Sequence, residues 1–159
     1  MPVVGGLPKR ITFENSAVNV LGWTAQGEVL VTTLDSKGPS RNNVIAAVKP
    51  NDLQRRVFAV ADANDAVLDA AGKTLYFTRN GLALTNDNVK NYRGGAHAQL
   101  WRYDLAGASE AAPLLATDAG NNKRPMWWQG RLYFISDRGG SDNLWSMAAD
   151  GSDSVRCHQ

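Results

Sequence analysis

A turn glycine followed by a polar residue and a short apolar run occurs three times in this chain, and it constrains the fold more than any other feature. The three copies begin at Gly27, Gly72 and Gly130. Runs of this kind, rich in β-branched, aromatic and leucine residues beside a turn, are typical of buried β-strands. Each copy is preceded by one apolar segment and followed by two more. The unit therefore predicts four antiparallel strands joined by short turns.

The spacing of the repeat predicts a β-propeller. The turn glycines lie 45 residues apart (27 to 72) and then 58 residues apart (72 to 130). A four-stranded repeat of roughly 40–45 residues is typical of a propeller blade. The longer second interval is explained by an insertion at 78–98, between the second and third strands of the middle unit. The apolar residues follow the strand period, so we predict an all-β chain without a helix of any length.

The predicted organisation of 1–159 is three four-stranded antiparallel blades and one orphan outer strand. The orphan strand is expected at 1–14, and the blades at 15–60, 61–117 and 118–159; the last strand is either complete or truncated. Three blades do not close a ring, because propellers typically have four to eight. Two interpretations follow: the chain is part of a longer protein, or copies of it assemble to complete the ring.

Composition argues against several classes of function. The formal net charge is only +2 and the basic residues are scattered, so neither nucleic acid nor a membrane surface is an expected partner. There is no long apolar run and no ordered secretory signal at the amino terminus. The chain is expected to be soluble, cytoplasmic or periplasmic in a prokaryote, with the compartment left open.

No cofactor or metal is expected from the motifs. His97, Cys157 and His158 lack the spacing of metal ligands, and a single cysteine forms no internal disulfide. The sequence also has no Gly-x-Ser-x-Gly elbow and no evident triad partner for a serine nucleophile. An independent hydrolase is therefore the least favoured interpretation.

Three stretches resemble the amino-terminal β-propeller of tricorn-like serine peptidases, and together they cover nearly the whole chain. They are NNKRPMWWQGRLYFISDRGGSDNLWSMAADGS, NVKNYRGGAHAQLWRYDL and GGLPKRITFENSAVNVLGWTAQGEVL. The PMWW…YFISDR…NLWSM part is the most specific, whereas GGLPKRIT also occurs in the wider TolB-like propellers. The resemblance implies a six-bladed ring, of which this chain would be half, with a role in substrate access or peptide channelling.

The resemblance also implies that this chain is not an enzyme by itself, because the catalytic residues of the family lie in later domains. The expected function is a non-catalytic propeller module that serves a peptidase. The alternative is a TolB-like structural or protein-interaction propeller fragment with no link to proteolysis. Peptides or a peptidase domain are the possible partners.

The insertion contains the candidate peptide or ligand contact, formed by Tyr92, Arg93, Gly94 and Gly95. Two glycines permit close approach of a backbone, and the Arg93 guanidinium can bind a carboxylate with its fork of donors. The competing interpretation is that Tyr92 packs under the loop and Arg93 ties it to a neighbouring blade.

Two structural expectations accompany this site. The polar stretch after Ser136 is expected to be a hairpin turn in which Asp137 and Arg138 make local hydrogen bonds. The five tryptophans fall at strand positions and are expected in the core between blades.

Two chains with three blades each would supply six, so a homodimer that completes the ring is a further expectation. The orphan strand of one chain would pair with the third strand of the partner's last blade, in place of that partner's own Ser154–Cys157. The residues assigned to this strand exchange are Lys9, Arg10, Ile11, Thr12 and Phe13 on one side, and Asn143, Leu144 and Trp145 on the other.

Overall fold

The computed structural model describes residues 3–14, 16–34, 42–86, 89–107, 109–115, 117 and 120–157. Within these ranges the chain forms three four-stranded antiparallel sheets, in each of which the strands follow chain order. The predicted all-β fold with three four-stranded antiparallel sheets is confirmed. No helix in these ranges has the length and apolar character needed to span a bilayer.

Each sheet corresponds to one stretch of sequence. The first contains β1 (Asn19–Trp23), β2 (Val29–Leu34), β3 (Asn43–Val48) and β4 (Arg55–Val57). The second contains β5 (Ala63–Leu68), β6 (Thr74–Arg79), β7 (Gln99–Asp104) and β8 (Ala112–Pro113). The third contains β9 (Asn122–Trp128), β10 (Arg131–Ser136), β11 (Asn143–Met147) and β12 (Val155–Arg156). A four-residue helix, α1 (Leu82–Thr85), lies between β6 and β7, so the expectation of no helix was wrong by one turn.

The three sheets pack face to face. Leu75 and Phe77 of β6 belong to an apolar cluster shared with Leu30 and Ile45 of the first sheet. The alternate residue Tyr76 belongs to a second cluster, which contains the buried residues Leu132, Phe134 and Met147 of the third sheet. Because successive side chains of a strand point to opposite faces, one strand serves both clusters.

Aromatic contacts add to this packing. The Tyr76 ring is stacked on Trp127 of the third sheet, with centroids 5.3 Å apart and planes 9° from parallel. Trp101 is tilted against Phe77 at 6.5 Å on the other face of the second sheet. Trp23 and Trp128, in contrast, are 69% and 60% exposed, so within one chain these two of the five tryptophans do not lie between sheets.

The two end faces of the stack differ. On the first sheet, a buried cluster that includes Val31 and Val48 is covered by the half-buried Ile11 and Val18. On the third sheet, the corresponding face is open. It exposes the apolar side chains of Met126, Trp128, Leu144 and Val155.

Residues 3–14 belong to no sheet of this chain. Lys9 Nζ donates to Pro50 O and Asn51 O, both at 3.4 Å, and Glu14 pairs with Arg55 at 3.2 Å. The segment thus runs along the first sheet of its own chain. To become an outer strand, this segment would have to pair with the free edge of a sheet in another copy of the chain. The orphan strand at 1–14 therefore stays a prediction about such an assembly.

The turn between β9 and β10 consists of Gln129 and Gly130, with φ of 47° and 78°. Two positive φ values in a two-residue hairpin match the right-handed twist of the strands it joins. An L-residue is strained in this conformation, whereas glycine is not.

We expect Gly130→Ala to lower the free energy of unfolding by about 1 kcal/mol through backbone strain alone. A Cβ at Gly130 would meet no atom within 4 Å, so no steric clash contributes. Gly95→Ala is the matched control, since its Cβ also meets nothing within 4 Å and its φ is not positive. Urea unfolding followed by tryptophan fluorescence measures both variants. Equal stability of the two would contradict the strain argument.

Candidate functional site

The insertion between β6 and β7 lies at one end of the sheet stack. It contains α1 and the turn segment 89–98, and residues 87–88 fall outside the described ranges. The start of β9 and the loop between β10 and β11 lie at the same end, because in antiparallel pairs the start of one strand is beside the end of the next. Loops of the second and third sheets therefore meet at this end.

Asp137 is the centre of their contact. Its side chain is only 1% exposed. The carboxylate accepts three hydrogen bonds, each of 2.8 Å, from the backbone N–H of Asn91, the backbone N–H of Asn121 and the side-chain Nδ2 of Asn121. Arg93 Nη1 completes the set with an ion pair of 3.0 Å. We call Asp137, Asn91, Asn121 and Arg93 the Asp137 hub.

The hub keeps Asp137 ionised. Burial by itself would raise the pKa of this carboxyl, but the hydrogen bonds from Asn121, Asn91 and Arg93 outweigh burial and lower it to about 2. The carboxylate thus carries a full negative charge at neutral pH, inside a shell of donors. One charge fixes the insertion of the second sheet to the third sheet.

The four candidate contact residues have different surroundings. Tyr92 is 38% exposed, and the side chain of Arg93 is 35% exposed. A Cβ on Gly94 would overlap the end of the Tyr92 side chain and displace it, whereas Gly95 borders open space. Tyr92 and Arg93 are therefore held side by side, with part of each side chain accessible.

Arg93 is not a free guanidinium. Besides the ion pair with Asp137, its Nη1 donates to Tyr92 O at 3.2 Å and its Nη2 to Asn91 Oδ1 at 3.5 Å. These contacts give Arg93 the role of tying the loop to the neighbouring sheet. Contact of these four residues with a peptide stays a prediction.

A cavity of about 170 Å³ lies beside the hub. Lys123 is one of its walls and pairs with Asp142 at 2.9 Å, while donating to Ala83 O at 3.2 Å. Lys90, which is exposed, lines the cavity from segment 89–98. The complete lining is Ala83, Asn86, Val89, Lys90, Asn121, Lys123, Asp137 and Asp142.

His97 supports the loop from inside. Its Nδ1 lies 2.8 Å from Gly94 O, and its Nε2 lies 3.0 Å from Gln99 Nε2. The carbonyl can only accept, so Nδ1 carries the proton and Nε2 accepts from Gln99. His158 lies outside the described residues. Among those that are described, no three His, Cys, Asp or Glu side chains are grouped as metal ligands.

The residues assigned to strand exchange lie apart in the monomer. Ile11 packs on the first sheet, while Leu144 and Trp145 belong to β11 of the third sheet. The outer edge of β11 is occupied by β12 of the same chain, through the pairs Trp145↔Arg156 and Ser146↔Val155. An exchange would have to displace this short pairing, and it stays a prediction.

Comparison with known proteins identifies the family. The family model of the tricorn protease N-terminal beta propeller domain matches residues 1–159. The chain belongs to this family. The resemblance predicted from the sequence is thereby confirmed.

Two relatives from Streptomyces coelicolor support the assignment to the tricorn propeller family. Tricorn protease homolog 1 and putative tricorn protease homolog 2 are each 31% identical to the chain, over 153 and 162 residues. The alignments cover 96% of this chain but only 14% and 13% of the relatives. The chain thus spans a small part of the length of the curated relatives it matches.

Solved structures agree on the fold. The crystal structure of the tricorn protease superposes with a TM-score of 0.71 at 21% identity, covering 89% of this chain and 13% of that one. TolB from Acinetobacter baumannii superposes with a TM-score of 0.70 at 16% identity, covering 97% and 35%. At these identities the likeness shows a shared propeller fold.

The sequence interpretation missed most of the hub. The expected local turn contacts are present, since Asp137 O accepts from Gly140 N–H at 2.9 Å and Arg138 N–H donates to Ser136 Oγ at 3.2 Å. The Asp137 carboxylate, however, bonds Asn91, 46 residues away, and Asn121, 16 residues away. Arg138 likewise reaches Asn122 Oδ1 at 2.9 Å and Ser154 Oγ at 3.1 Å. Its guanidinium also lies 4.7 Å from the centroid of Trp145. The only available signal was an aspartate directly after a buried strand.

We expect Asp137→Asn to lower the free energy of unfolding at neutral pH by about 2 kcal/mol. The new amide would place its own donors against the N–H groups of Asn91 and Asn121. Because the folded pKa is lowered, this stabilisation is complete above the ordinary value of 3.8 and is lost as the pH falls through about 2. Urea unfolding of both proteins across this pH range measures the effect.

The control is Asp142→Asn, which removes the partner of Lys123 from an aspartate whose side chain is 47% exposed. An exposed pair contributes roughly 0–1 kcal/mol, so this variant should stay close to the parent. If Asp137→Asn were as stable as Asp142→Asn at neutral pH, the hub would not be the link between the sheets.

Proposed function

We propose that this chain is a non-catalytic propeller module of a tricorn-like peptidase, and that it contacts peptides on their way to a catalytic domain elsewhere. The observation that carries the proposal is the Asp137 hub, which holds segment 89–98 in one conformation at the end of the stack. Membership in the tricorn propeller family supports a peptidase context. A binding loop that is already ordered loses little entropy when a peptide binds.

The exposed groups at this end suit a peptide. Tyr92 offers an aromatic surface with a hydroxyl, and Gly95 leaves room for an approaching backbone. The accessible part of Arg93 and the nearby Lys90 supply positive charge for carboxylates. Because positively and negatively charged groups lie together beside a small cavity, the loop is suited to contact peptides of many sequences and not to select one sequence.

The proposed module does not hydrolyse peptides. The imidazole of His97 is engaged on both nitrogens by Gly94 and Gln99, which leaves it unsuited to act as a general base. A fluorophosphonate probe, which labels activated serines, is expected to leave the chain unmodified.

We expect Arg93→Gln to weaken binding of a fluorescein-labelled peptide from unfolded casein roughly tenfold, as for loss of one charged hydrogen bond. Fluorescence anisotropy measures the affinity. Asp137→Asn is the matched control, because it loosens the same loop but leaves the guanidinium in place. It is expected to weaken binding less than Arg93→Gln does, because the loop loses order but the guanidinium stays available to the peptide. Equal weakening by both variants would show that Arg93 only positions the loop.

We further propose that the open face of the third sheet is buried against the first sheet of a second copy. Met126 and Trp128 are exposed on that face, and Val20 and Trp23 are 70% and 69% exposed on β1 of the first sheet. Two such contacts in a symmetric dimer would join three sheets from each chain into a ring of six. Contiguous exposed apolar faces of this kind mark interaction surfaces.

Light scattering on a sizing column is expected to give the mass of a dimer, and Trp128→Glu is expected to give a folded monomer. Leu82→Glu, on α1 and away from both faces, is the control and should stay dimeric. A monomeric parent chain would overturn the proposal. Ile11→Pro tests whether the dimer depends on strand exchange. Proline disrupts a strand at residues 8–13, so a dimer held by that strand would dissociate.

A further inference from the structure

A larger cavity, of about 650 Å³, lies on the face of the second sheet that carries Phe77, and residues 59–61 of the connection between β4 and β5 form its other side. It shares no residue with the cavity beside the Asp137 hub. Its volume is within the roughly 300–1,000 Å³ of small-molecule sites. The walls are mainly apolar and aromatic, with Val60, Phe77, Trp101 and Tyr103 among them. Such a cavity needs only a few polar groups to orient a ligand.

Arg79 supplies a positive charge in this cavity. It is the last residue of β6 and alternates with Phe77, so its side chain lies on the face toward the first sheet. Its guanidinium carbon is 4.5 Å from the centroid of the Trp101 ring. Within the described part of the chain, no oxygen accepts a hydrogen bond from this guanidinium and no carboxylate pairs with it.

The indole under Arg79 is held in place. Trp101 Nε1 donates to Gln99 Oε1 at 3.3 Å, and Gln99 in turn donates to His97 Nε2 at 3.0 Å. Stacking occupies the flat face of the guanidinium and leaves its N–H edge available for hydrogen bonds. The cavity therefore presents a fixed aromatic wall beside unused donors in the geometry that a carboxylate accepts.

We propose that this cavity binds a carboxylate attached to an apolar or aromatic group. The carboxylate would take the N–H edge of Arg79, and the apolar group would lie against Phe77, Trp101 and Tyr103. Glu110 also lines the cavity, so a second negative charge on the ligand would be repelled. The ligand is thus a monoanion, either a free aromatic acid or the last residue of a peptide chain.

This inference goes beyond the peptide contact proposed above, because it concerns a different cavity, whose lining includes neither Arg93 nor Asp137. The test uses N-acetyl-phenylalanine and its neutral amide, titrated into the full chain. Proton–nitrogen correlation spectra follow the indole N–H of Trp101. We expect the acid to bind at least tenfold more tightly than the amide, and Arg79→Gln to remove that difference.

Arg102→Gln is the matched control. Arg102 follows Trp101 on β7 and is exposed on the opposite face of the sheet, so its loss should leave acid binding unchanged. Arg93→Gln should also leave it unchanged, which separates a failure here from a failure of the peptide contact. Thermal unfolding followed by circular dichroism confirms that Arg79→Gln is folded.

A short peptide that ends in phenylalanine, with a free or an amidated end, separates the two sources of the ligand. Binding of the free-ended peptide together with the single acid indicates a peptide end, and binding of the single acid alone indicates a free acid. Equal affinity for acid and amide would overturn the proposal. So would acid binding that survives Arg79→Gln, or no binding at millimolar concentration.

Discussion

The middle sheet is buried on both faces, and this requirement organises the rest of the structure. Phe77 of β6 packs toward the first sheet, while Tyr76 packs toward the third. A sheet with two apolar faces is stable in water only when another layer covers each of them. The first and third sheets cover the two faces of the middle sheet. Each of them then has a second, outer face whose apolar side chains also have to be covered. The exposed Trp128 shows where that need is unmet within one chain.

Apolar burial brings the sheets together, and a buried charge fixes how they meet. The hydrophobic effect has no direction, so the contact between Tyr76 and the third sheet alone would tolerate small rotations. The donors around Asp137 do not, because each hydrogen bond fixes a distance and an angle. The hub joins a loop of the second sheet to the residues that precede β9 and follow β10 in the third. The same loop carries Tyr92 and Arg93, so the order of the candidate site derives from the packing of the blades.

The sequence predicted the strands well because their signals are local. A turn glycine such as Gly130 and the alternation that follows it are set by neighbours within one hairpin. The hub could not be predicted in this way, since Asn91 and Asp137 are brought together only by the tertiary fold. Trp127 and Trp128 show a second limit: adjacent residues of a strand face opposite ways, so within one chain only Trp127 stacks on a neighbouring sheet. Helix α1 is too short to show a helical period.

The difference between the two end faces gives the molecule a direction. A sheet arriving at the third-sheet end meets Met126 and Trp128 already exposed, so this face needs no rearrangement of its own. A sheet arriving at the first-sheet end finds the centre of that face covered by Ile11, which must move before full contact forms. Association that waits for a conformational change is slower than association between prepared surfaces. Because each contact of the proposed ring joins an open third-sheet face to a covered first-sheet face, movement of Ile11 is expected to limit the rate at which the ring closes.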